Sequence, residues 1–238
     1  MNEKKSFYTE LAYLLGIVAL ALGTAFSEKA NFGMSMVVAP AYLVHLKVSE
    51  FLPFFSFGMA EYSLQAVVLV LLALVMRKFK ISYLFSFITA VFYGVVLDLC
   101  ILSISPIAAD TFLVRSILYL IGIVLCSLGV SMLFHTYIAP EAYELFVKEL
   151  SDKLGKDINK VKTVYDVTSC AFAIVLSFAF YGLWHFEGVK AGTILCALVN
   201  GSLIGLISNA FEKKYTFVDR FALRPYFIAE KEKTGNNQ

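Results

Sequence analysis

Apolar residues fall in six long runs, near 7–27, 57–76, 81–104, 112–134, 161–184 and 189–210. A helix needs about 20 such residues to cross a hydrocarbon core of about 30 Å. Backbone groups in lipid must be bonded within their own segment, so each run predicts a spanning helix. Two shorter stretches carry other patterns. Residues 140–155 alternate as an amphipathic helix, with Tyr143, Phe146, Val147, Leu150 and Leu154 on one stripe. Pro140 suits its first turn, Glu141 and Glu144 suit the positive end of its dipole, and Gly155 suits its stop. This helix is expected on the inner interface. Residues 35–52 are more apolar, contain Pro40 and predict a half-buried or re-entrant helix. The pattern therefore predicts an all-α integral membrane protein with six transmembrane helices.

The order of features repeats. "ALG" at 21–23 matches "SLG" at 127–129, and each leads into one of the non-spanning stretches. Glu61 then matches Asp166, and Gly94 in "SFITAVFYGVVLD" matches Gly201 in "GTILCALVNGSLIG". Two three-span repeats, about 7–105 and 112–210, must enter the bilayer in opposite senses. Such inverted repeats are a recurring transporter plan, with the site between the halves.

Composition agrees with lipid as solvent, since 59% of the 238 residues are hydrophobic and only 16% are charged. The N-terminal stretch has the makeup of a signal peptide but is read as the first span. With both ends cytoplasmic, sixteen Lys and Arg lie inside and Lys29, Lys47, Arg115 and Lys190 outside, as the positive-inside rule requires. The 211–238 tail interleaves Arg220, Arg224, Lys231 and Lys233 with Phe217, Phe221, Tyr226 and Phe227. Beside a membrane that mixture favours anionic lipid head groups over nucleic acid. The four cysteines lack metal or disulfide spacing and read as packing thiols.

"LGTAFSEKANFGMS", "FSFGMAEY" and above all "APEAYELFVKELSDKLGKDINKVKTVYDVTSC" resemble the YczE/YyaS/YitT-like bacterial membrane proteins. The likeness covers residues 11–210. It implies a multi-pass inner-membrane protein and picks out Pro140, Glu141, Tyr143, Lys162, Thr163 and Asp166. Where relatives often carry "S-P-W-D" in the first loop, this chain has "MSMVVAP" and no acid.

The residues that can carry chemistry are few. Glu61 and Asp166 stand near the ends of apolar runs, where a charge costs about 2.5–3.5 kcal/mol and needs a partner or a wet cavity. Capping and ligand binding are both open to them. Tyr62 and Gln65 beside Glu61, and Thr163 and Ser169 beside Asp166, complete a polar pocket or bond neighbouring helices. Glu141 and Tyr143 open the second loop, as site residues or as a solvated first turn. Asp98 and Arg115 flank a short connection and are expected to form an ion pair. His45, His135 and His185 lack the spacing of a shared metal site, though His45 can titrate near neutral pH. No metal or cofactor is expected, and no motif of an enzyme is present.

The expectation is a secondary transporter or exporter of a small solute or ion, with its site lined by Glu61, Gln65, Asp166 and the two non-spanning loops, the carboxylates binding a coupling proton or a cationic group. The alternatives are a membrane regulator or assembly factor acting through a protein partner, and a lipid-handling protein. Small residues in "GVVLDLCILSIS" and "VNGSLIGLIS" suit packing within one chain or a homo-oligomer alike.

Overall fold

The computed structural model describes residues 5–156 and 158–221. Eight helices follow in order: α1 (Thr9–Ala30), α2 (Ala39–Ser49), α3 (Phe57–Met76), α4 (Ile81–Ile104), α5 (Phe112–Phe134), α6 (Ala142–Leu154), α7 (Ile158–Tyr181) and α8 (Ala191–Lys214). Six of them, all but α2 and α6, are long and apolar enough to cross a membrane. The outermost two spans differ from their sequence boundaries at the ends: α1 runs on to Ala30 and α8 to Lys214. Arg224, Tyr226, Phe227, Lys231 and Lys233 lie outside the described residues.

One addition to the all-helical expectation joins the chain's ends. Strand β1 (Lys5–Tyr8) pairs in parallel with β2 (Tyr215–Val218), Lys5 opposite Tyr215 and Tyr8 opposite Val218. Phe7 sits edge-on to Tyr215 and Phe217, and the His135 ring stacks on Phe217 at 4.4 Å. Because β1 leads into α1 and β2 follows α8, the two ends share one face of the bundle. An even number of spans demands that arrangement.

The centre is the antiparallel pair α1–α5, held close by glycines. A Cβ on Gly23 would stand 2.6 Å from Cys126 N and 2.7 Å from Gly122 O, and one on Gly129 would stand 2.6 Å from Gly16 O. Such distances exclude any side chain, so these backbones touch directly. Tyr93 of α4 donates to Thr24 of α1 at 2.9 Å, and Tyr13 and Thr89 bond at 3.0 Å. These contacts fix α4 on α1.

Helix α3 packs along α4 through a second glycine contact. A Cβ on Gly58 would fall on the Gly94 carbonyl, and one on Gly94 would stand 2.6 Å from Gly58 O. Asp98 of α4 accepts from Ser56 Oγ and, at 2.8 Å, from Gly58 N. The Ser56 hydroxyl in turn accepts from Met59 N, so the start of α3 is capped twice over. This corrects the expected Asp98–Arg115 pair. Arg115 donates instead to the carbonyls of Ala30 and Asn31, at 2.7 and 3.0 Å, where α1 leaves backbone oxygens unbonded.

The corresponding helices of the second half are splayed. Gly201 and Gly205 of α8 have nothing within 4 Å of an added Cβ. Val164 and Val167 of α7, and Leu198 and Leu206 of α8, are exposed.

Helix α6 stands against α3 instead of lying apart from the bundle. The chain after α5 passes Glu10, which accepts from Tyr137 Oη, then Thr89, which donates to Ala139 O, and Ser86, which donates to Pro140 O. Ala142 then meets Gln65, and α6 runs back beside α3 until Lys153 Nζ reaches Val75 O. Gln65 is eleven residues before the end of α3 at Met76, a rise of ~16 Å. Leu69, Leu72, Tyr83, Ala142 and Leu145 form the buried cluster that glues α6 there. Of the expected stripe, Phe146 packs against this cluster, whereas Leu154 is exposed.

Candidate functional site

Glu61 and Gln65 sit one turn apart on the buried side of α3, an i, i+4 pair. Both are fully buried. The N-terminus of α6 arrives beside them with its unbonded backbone N–H groups, which every helix start presents. Gln65 Oε1 accepts from Ala142 N at 3.0 Å, so a side chain of α3 caps α6. With its oxygen so fixed, the Gln65 amide turns Nε2 toward two carboxylates, Glu61 Oε2 at 3.5 Å and Glu141 Oε2 at 3.4 Å. Tyr143 Oη donates to Glu61 Oε2 at 3.1 Å. Four of the residues singled out in the sequence thus form one buried polar cluster from two helices.

The cluster is incompletely bonded. Among the described residues, Glu61 Oε1 and Glu141 Oε1 accept no hydrogen bond. A buried carboxyl oxygen without a donor is costly, and native proteins keep such groups seldom and for a reason. Burial, reinforced by the neighbouring Glu144 and Glu61 carboxyls, pushes Glu141 well above the usual carboxylate range. Burial raises Glu144 too, against the opposing pull of Lys162.

On its other side the cluster borders a cavity of about 450 Å³. It lies between α1, α5, α7 and α8, in the gap left by the splayed pair. Glu141, Tyr143 and Glu144 line it from α6, and Lys162, Thr163 and Asp166 from α7. Tyr93, Thr24 and Asn200 add polar groups from three further helices. Lys162 Nζ lies 3.8 Å from Asp166 Oδ1. Opposite the splayed end, Met34 N donates to Gly188 O at 2.8 Å and Gly192 N to Phe32 O at 2.9 Å, so backbone bonds seal the cavity there.

Tyr62, His45 and Ser169 stand outside the cluster and the cavity lining. Tyr62 is half-buried and packs its ring against Gly94 on the α4 side. His45 Nδ1 bonds Phe55 O at 2.9 Å and its ring stacks on Phe57, so it fastens α2 to the start of α3. Among the cavity residues that escaped the sequence reading are Tyr93, Thr24 and Asn200. Asn200 had a signal, as a lone amide inside the apolar run "CALVNGSLIG"; Tyr93 and Thr24 had none.

No curated protein and no solved structure matches the chain. One family model covers it over residues 7–209, nearly all of the helical region and every residue of the cluster and cavity. The chain therefore belongs to the family of unknown function DUF6198.

Proposed function

We propose that the protein is a secondary transporter or exporter of a small solute or ion, with two inverted repeats and both ends in the bacterial cytoplasm. The carrying observation is that equivalent helix pairs stand in opposite states. Gly58 of α3 is in backbone contact with Gly94 of α4. Their counterparts in the duplication, Thr163 of α7 and Gly201 of α8, both line an open cavity. A repeat pair with one half shut and the other open is what alternating access needs, and exchange of the two states moves the opening across the membrane.

Further observations support the inverted plan. Residues of α5 follow their α1 counterparts by 106 positions, so Gly16 corresponds to Gly122 and Gly23 to Gly129. Swapping the halves turns the Gly23–Gly122 contact into the Gly129–Gly16 contact, and both occur. On this reading α6 is re-entrant, with its N-terminus about 16 Å from the cytoplasmic end of α3. The sealed end faces outward, and the splayed end faces the cytoplasm with the two termini. The resemblance to YczE-like membrane proteins fits the same setting.

A cysteine pair tests the exchange. In a chain with Cys100, Cys126, Cys170 and Cys196 replaced by Ala, Thr163→Cys and Gly201→Cys are introduced together. Oxidation in lipid nanodiscs is expected to join them when α7 closes on α8, while the Val164→Cys/Gly201→Cys pair stays separate. No cross-link under any oxidant would sink the transporter reading and favour a static partner protein. Lipid trapped in the gap would favour lipid handling.

A further inference from the structure

We infer that the cavity binds a protonated amine carrying an apolar body. This deepens the transporter reading and rests on its cavity. The volume, about 450 Å³, exceeds what a bare ion needs and lies in the range of pockets for small organic molecules. The charge is one-sided: Glu141, Glu144 and Asp166 line the space against one ammonium, Lys162. Lys162 lies beside Asp166 and so leaves Glu141 unanswered.

Glu141 supplies the independent sign of a missing ligand. It is only 6% exposed, lines the cavity, and its Oε1 accepts no hydrogen bond. A primary ammonium carries three N–H donors and no acceptor, which matches an orphaned carboxyl oxygen. An anion would meet three carboxyl groups, and a neutral alcohol brings no positive charge to favour an ionised carboxylate. Leu20, Ile123, Val130, Val167 and Ile204 also line the cavity, which suits a hydrocarbon body. Tyr93 and Tyr143 line it as well, and aromatic faces attract ammonium groups.

The test is calorimetric titration of the full-length protein in nanodiscs with methylamine and phenethylamine. Phenylacetate and 2-phenylethanol serve as the matched anion and alcohol. Phenethylamine is expected to bind and the two matched compounds are not. Glu141→Gln and Asp166→Asn are each expected to weaken it at least about tenfold. Gly201→Lys covers the case in which those variants fold poorly. Its site has open space around it, and its ammonium is expected to expel the amine where Gly201→Gln does not. Binding of the alcohol as tight as the amine, unchanged affinity in every variant, or no binding by either amine would overturn the inference. The cysteine pair separates the two ideas. Closure without amine binding keeps the transporter and discards the cation, whereas amine binding without closure does the reverse.

Discussion

Tyr143 Oη donates to Glu61 Oε2 across 3.1 Å, bringing together residues 82 apart in the chain. That bond, with Gln65 between the two carboxyls, makes α6 a lining element of the bundle and places its acids at the cavity.

Removing the donor leaves Glu61 still buried but less bonded. Tyr143→Phe is expected to destabilise the protein by about 1–3 kcal/mol, the cost of an unsatisfied buried acceptor. Chemical denaturation in detergent measures it. A loss no larger than that of Tyr8→Phe, at an exposed position, would show that the bond contributes nothing.

Gln65→Leu keeps the side-chain volume and deletes both functions of the amide. The Ala142 N–H loses its acceptor, and the two glutamates lose the donor between them. Hydrogen exchange should accelerate over residues 142–147 while the α1–α5 pair keeps its protection. Uniform acceleration would mean global destabilisation and no capping role.

The raised Glu141 gives stability a direction in pH. A carboxyl raised by burial binds its proton more tightly folded than unfolded. Its contribution is full below the ordinary glutamate value of about 4.3 and is lost as pH climbs through the raised value. The melting temperature should therefore fall from mildly acid to neutral and alkaline pH, and Glu141→Gln should flatten that slope. An equally steep slope in the variant would assign the titration to another group.

The glycines of the two halves should behave unequally. Gly58→Ala forces a methyl group onto the Gly94 carbonyl and is expected to cost about 1–3 kcal/mol or more by overpacking. Gly201→Ala meets open space and should be neutral or stabilising, since alanine favours a helix by about 1 kcal/mol. Thermal unfolding of both variants decides it. Equal losses would mean that the splayed pair is closed in solution.

The sequence displayed some of this plainly. Lipid-facing runs must be long and apolar on every side, so six spans stood out. Glu61 and Gln65 stood out because a carboxylate and an amide are conspicuous in such a run. Partner choice was not legible, because it depends on which helix ends meet. Asp98 was spent on the start of α3, and Arg115 on carbonyls at the end of α1. The standing of α6 was hidden for a similar reason. An amphipathic stripe suits a helix wall as well as a membrane surface, and only the capping by Gln65 distinguishes them.

The pairing of β1 with β2 bears on how the protein is made. Strand β1 leaves the ribosome before any of the six spans, yet its only strand partner among the described residues lies beyond the last of them. Until all six helices are inserted, Lys5–Tyr8 is an open edge, able to recruit any extended segment nearby. Its closure waits for the last span. A product cut short before Tyr215 keeps every span and still displays that edge to the cell's quality control.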